Sequence, residues 1–118
     1  MEGKTHEIPV DARWLGHIRE GRKTVEGKKQ TPKWLEIRRG DMIQFTCKDE
    51  APVIVRVTAI RFFFEPRDTL GAFLRAESLV QTLPGVETMD EARAIYNGFL
   101  GQEEIQKLGL MAIHFEKK

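Results

Sequence analysis

The sequence predicts an α+β fold: a small mixed β-barrel of about five strands with three to four flanking helices. Three observations predict it. Five segments have strand character, at THEIPV, Thr24 to about Lys29, MIQFTCK, VIVRVTAIRFFF and LMAIHFE. Helical periodicity is concentrated in the second half, apart from one early helix. Strands and helices do not alternate regularly, which argues against a parallel βαβ sheet and for a short-stranded barrel with helices packed around it. A chain of 118 residues accommodates one domain of this kind, so residues 1–118 are read as a single unit.

The elements follow in order. THEIPV is a short strand that ends at Pro9, which has no N–H to give a ladder. Asp11 offers an N-cap oxygen to a helix from Ala12 to Glu20, with Trp14, Leu15 and Ile18 on one face and Gly21 as its stop. Thr24 and Val25 favour an extended backbone, so the chain leaves the helix into a strand on which Thr24, Glu26 and Lys28 share a face. QTPKWLEIRRGD is a loop whose Gly40-Asp41 turn feeds the strand MIQFTCK. After KDEAP, Val53, Val55, Val57 and Ala59 alternate inward while Arg56 and Thr58 alternate outward. Arg61 falls on the inward parity, so it either faces a polar pocket or follows a bulge that resets the phase.

In the second half, Asp68 caps a helix carrying Leu70, Phe73 and Leu74, which LPGV interrupts. Thr88 and Glu91 have capping-box spacing, and Ala92, Ile95, Tyr96 and Phe99 form one apolar helical stripe. A short helix around Glu103 to Leu108 ends at Gly109, and LMAIHFE closes the chain as a strand.

Composition excludes several classes of function. The hydrophobic share of 41% and charged share of 31% are those of a globular domain with one core. There is no apolar run of membrane-spanning length, and MEGKTHE lacks the apolar centre of a secretory signal, so an intracellular, cytoplasmic location is expected. The single Cys47 lies in an apolar stretch and reads as core filler. His6, His17 and His114 stand far apart without metal-ligand spacing, so neither a metal nor a cofactor is expected. A glycine-rich phosphate loop and a nucleophile elbow are both missing.

The net charge of +1 hides an asymmetry: residues 1–61 hold 13 Lys and Arg against 9 Asp and Glu, and residues 62–118 hold 6 against 9. Within the basic half, GRKTVEGK places Arg22, Lys23 and Lys28 around one carboxylate, Glu26, at the helix exit. Such a constellation suits a ligand that carries both negative groups and hydrogen-bond donors. Trp14 reads as core. Trp34, in a basic loop between Lys33 and Arg38, is a candidate base-stacking platform.

These residues carry a resemblance. IREGRKTVEGK, RRGDMIQF, VIVRVTAIRFF, LPGV, the helix through EARAIY and the closing LGLMAIHFE resemble, in that order and over nearly the whole chain, the ASCH family (activating signal cointegrator 1 homology domains). That family is similar in fold to the PUA domains of RNA-modifying enzymes. The resemblance implies a PUA-like barrel with a cleft beside the helix-to-strand junction, lined by the G-x-K-T-x-E residues, in a family regarded as binding nucleic acids or processing nucleotides. The motif lysine is Lys23 and the motif glutamate Glu26.

One branch of the family removes the acetyl group of N4-acetylcytidine, using a lysine to activate a threonine three residues later and an acid to protonate the leaving amine. Glu26 stands at that threonine's position, Thr24 lies one residue after the lysine, and the acid's position falls on Pro84, Gly85 or Glu87. The leading expectation is therefore an RNA- or nucleotide-binding domain whose site comprises Arg22, Lys23, Thr24, Glu26, Lys28, Trp34 and Arg61. The alternative is a nucleoside amidohydrolase with Lys23 and Glu26 as catalytic residues. A protein-interaction module using an apolar patch through Phe62 to Phe64 is third.

Overall fold

The computed structural model describes residues 3–118. Five strands form one sheet: β1 (Thr5–Pro9), β2 (Val25–Lys29), β3 (Met42–Thr46), β4 (Val53–Phe63) and β5 (Leu110–Lys117), in the order β1-β3-β4-β5-β2. β1 runs parallel to β3, and the other pairs are antiparallel. The predicted mixed barrel is therefore an open, half-closed one, with β1 and β2 as its free edges. Five helices accompany it: α1 (Ala12–Arg19), α2 (Thr69–Ala76), α3 (Leu79–Thr82), α4 (Met89–Leu100) and α5 (Gln102–Leu108). The count exceeds the expected three to four because Glu77 is extended and Ser78 caps a separate single turn, α3.

Each face of the sheet has its own core. Ile8, Leu15, Ile18, Ile43, Phe45, Val55, Val57, Ile113 and Phe115 pack on the concave side, while Trp14, Val25, Phe73, Leu83, Tyr96 and Leu110 pack between the other face and the helices. The long strand β4 serves both, because its register with β5 shifts between Val57 and Ala59. This bulge at Thr58 reverses the alternation. Ala59, expected inward, is consequently exposed, and Arg61 lies on the helical side with an exposed side chain. Of the two readings offered for Arg61, the bulge is the one found.

Two other expectations need correction. Asp11 is the N-cap of α1 by position, but its side chain accepts no capping bond. Phe99, assigned to the buried stripe of α4, is 47% exposed, and the stripe is closed by Leu100 instead. Thr88 does cap α4, accepting the Glu91 N–H at 3.1 Å. Asp41 fixes the RRGD turn by accepting from the N–H groups of Lys4 and Arg38 and from His6 Nε2. Burial alone would raise its pKa, but these bonds, His6 foremost, bring it below the ordinary value.

Candidate nucleic-acid interface

The chain leaves α1 through Gly21, whose φ of +80° suits only glycine at low cost. The next two N–H groups, of Arg22 and Lys23, both return to the His17 carbonyl, and this turn sends the two side chains apart. Arg22 folds back on α1, donating from Nε to His17 Nδ1 at 2.9 Å and lying 3.3 Å from Glu20. Burial, then the neighbouring Arg22, Arg13 and Lys23, push the His17 pKa down. Lys23 goes inward and is 2% exposed.

The inward turn of Lys23 has a structural purpose that the motif spacing explains. Phe115 N–H donates to Thr24 O and Gln30 N–H to Gly109 O, so even-numbered residues of β2 bond β5 and odd-numbered ones present their backbone to the open edge. Lys23 Nζ donates to Val25 O at 2.7 Å, and Glu26 Oε1 accepts from Gly27 N–H at 2.9 Å. The K-T-x-E side chains thus occupy backbone groups of an edge strand that would otherwise invite another strand. Lys23 Nζ also donates to Thr82 O at 2.6 Å, tying α3 to the sheet. Gly27 completes the arrangement, since a Cβ there would stand 2.9 Å from Phe73 Cζ and 3.1 Å from Tyr96 Cε1.

The pair itself is imperfect. Lys23 Nζ and Glu26 Oε1 are 3.5 Å apart, both nearly excluded from water. Burial pushes the Lys23 pKa down; Glu26 partly opposes this, and Lys28 reinforces it. Glu26 Oε2 accepts no hydrogen bond from the described residues. It belongs to the residue that floors a pocket of about 90 Å³, lined also by Pro9, Val10, Asp11, Trp14, Lys28 and Phe99. The pocket lies where the end of β1 and the strand β2, the two free edges, are bridged by α1 and capped by α4.

The expected site residues therefore divide. Glu26 and Lys28 meet at this pocket, and Lys28 Nζ lies 5.0 Å from the ring centre of Trp34, which is not among the residues lining it. Lys23 stands beneath Glu26. Thr24 and Arg22 line a shallower groove against Val80, Gln81 and Pro84, away from Glu26. Arg61 is 3.3 Å from the buried Glu77; His114 Nε2 is 2.7 Å from the same carboxylate, without the alignment of a hydrogen bond. The sequence reading missed Asp11, Trp14 and Phe99 as pocket walls. Asp11 and Phe99 had been assigned structural tasks that they do not perform, and only their failure to perform them marks them out.

A half-open mixed barrel of five strands with flanking helices is a PUA-like fold. The ASCH domain model matches residues 8–118, and the chain belongs to the ASCH domain family. Among the similar solved structures, the crystal structure of the hypothetical protein PH0355 is 28% identical with a TM-score of 0.83, over 98% of this chain and 99% of that one. The solution NMR structure of protein PF0455 from Pyrococcus furiosus is 31% identical with a TM-score of 0.71, over 99% and 97% respectively. No curated protein matches the chain. No helix among the described residues is long and apolar enough to cross a membrane, and no cluster of three or more His, Cys, Asp or Glu suited to a metal ion occurs among them.

Proposed function

We propose that this ASCH domain binds RNA or a nucleotide-like ligand by inserting a base edge into the pocket over Glu26. One observation carries the reading: a carboxylate oxygen of Glu26 without a partner among the described residues, in a residue lining a pocket walled by Trp14 and Phe99 with Lys28 as its one cation. A carboxylate accepts hydrogen bonds from an exocyclic amino group, Trp14 and Phe99 supply apolar walls for a flat ring, and Lys28 is placed for the phosphate. Charge-assisted bonds to Glu26 are about twice as strong as neutral ones, which suits a pocket with few contacts.

The test is an NMR titration with cytidine and uridine 5′-monophosphates. Cytidine monophosphate, with its N4 amino donor, should bind at least tenfold tighter, and Glu26→Gln, which can donate to a carbonyl, should narrow or reverse that ratio. Equal affinity for both, with shifts remote from Glu26, would reject the reading.

A hydrolase is the second reading, favoured by the presence of Asp11 and Glu26 in one pocket. Glu26 would take a proton from water as it attacks an amide carbonyl and pass that proton to the leaving amine, which Asp11 would orient by accepting from its N–H. Thr24 lies outside the pocket, so a covalent route through it lacks support. Release of acetate from N4-acetylcytidine, lost in both Asp11→Asn and Glu26→Gln, would establish this reading; no release would remove it.

A further inference from the structure

Around Trp34, exposed cations and partly exposed aromatic surface extend beyond the pocket. Trp34 opens a 3-10 turn, Trp34–Glu36, and is half-buried against the concave core. Two ammonium groups approach its ring centre, Lys33 Nζ at 4.7 Å and Lys28 Nζ at 5.0 Å. Lys33, Arg38 and Arg39 in the same loop are exposed, opposed by the single carboxylate Glu36 before the Asp41 turn. On the sheet, Lys28 pairs with Met111, which pairs with Phe62, so these three share the concave face, and Phe62 is 58% exposed.

Lys28 belongs to both places, lining the Glu26 pocket and facing Trp34. We infer that the loop carrying Trp34 is a second subsite, which stacks the base next to the one in the pocket, and that the ligand is consequently a single strand of nucleic acid. This rests on the nucleic-acid reading of the Glu26 pocket. Lysines held near an aromatic ring by cation–π attraction can exchange that contact for a phosphate while a base takes the ring face. A single strand can present unstacked bases to both subsites, whereas a duplex keeps its bases stacked and its edges in the grooves. The cationic loop makes this surface complementary to a phosphate chain, and the same charge disfavours a basic protein partner.

The experiment measures fluorescence anisotropy of a labelled single-stranded hexaribonucleotide and of the same sequence in a hairpin stem, beside cytidine 5′-monophosphate in the NMR titration. Trp34→Ala should weaken the single strand about tenfold or more and leave the mononucleotide unchanged. Trp34→Phe, which preserves an aromatic face, should retain most of the affinity. Lys33→Glu, at an exposed position, should weaken the strand without changing the thermal melt, and the wild type should bind the stem far more weakly than the strand. Equal strand affinity in wild type, Trp34→Ala and Lys33→Glu would overturn the inference, as would preference for the stem. Loss of mononucleotide binding on Glu26→Gln with an intact Trp34 effect would separate the two sites; absence of mononucleotide binding in the wild type would fault the pocket reading alone.

Discussion

Two carboxylate–cation pairs in this molecule are built in opposite ways. Asp68 and Arg93 form a two-point bridge at 3.1 and 2.6 Å, with side chains 37% and 35% exposed, while Asp68 also accepts the Gly71 N–H as the cap of α2. Both carboxylate oxygens accept, and hydrogen bonding from Arg93 and then Gly71 lowers the Asp68 pKa to about 2. Lys23 and Glu26 are far more buried, yet they stand 3.5 Å apart and spend their best bonds on backbone groups. The first pair is complete and holds α2 to α4. The second closes the edge of β2 and ties α3 to the sheet, yet leaves Glu26 Oε2 without a partner among the described residues, in a residue that lines a pocket. The two pairs thus differ in how completely the carboxylate is bonded within the protein.

The sharpest way to break the comparison is to remove one member of each pair. Lys23→Met leaves Glu26 buried without its cation and the Thr82 carbonyl without its donor, so unfolding in urea should show a loss of about 3 to 5 kcal/mol. Adding Glu26→Gln to that variant should recover part of it. Gly27→Ala, which presses a methyl group into the Phe73 and Tyr96 rings, should cost about 1 to 3 kcal/mol without altering either charge.

Asp68→Asn should cost only about 1 kcal/mol, since solvent screens the half-exposed bridge and an asparagine can still cap α2. The pH dependence distinguishes the pairs further. The folded Asp68 pKa of about 2 lies below its ordinary 3.8, so its contribution is present above about pH 4 and is lost as the pH falls towards 2. Asp68→Asn should flatten that part of the acid unfolding curve. Tyr96 gives the smallest effect: its hydroxyl is buried without a partner, and burial, then Glu26 and Glu77, push its pKa well above 10.0. Tyr96→Phe removes an unsatisfied group and should leave stability unchanged or raise it by up to about 1 kcal/mol in thermal unfolding.

Much of this architecture was legible because local chemistry dictated it. Pro9, Gly21 and Thr88 mark element ends by backbone rules that tertiary packing did not override, and the order of strands and helices followed from periodicity. The bulge at Thr58 was legible only as a choice, because Arg61 announces a broken alternation without saying how it is broken. The site was legible in part. Glu26 and Lys28 are two apart on a strand and had to share a face, and the sheet brings both to the pocket. The separation of Arg22 and Thr24 from them was not, since it depends on a turn at Gly21 that sends consecutive side chains in different directions. Asp11, Trp14 and Phe99 come together only when the open sheet curls and α4 crosses its edge, a long-range event that no local pattern encodes. Nor did the motif disclose that Lys23 caps the edge of β2, because β2's free edge exists only once the strand order is known.

The unused oxygen of Glu26 is the central claim, and one measurement addresses it directly. Binding of a single-stranded hexaribonucleotide is compared in wild type and Glu26→Gln by calorimetric titration at a temperature where both are folded, as checked by circular dichroism. Glutamine keeps an oxygen for the Gly27 N–H, so the fold should persist while affinity falls at least tenfold. Undiminished affinity in a folded Glu26→Gln protein would contradict the account.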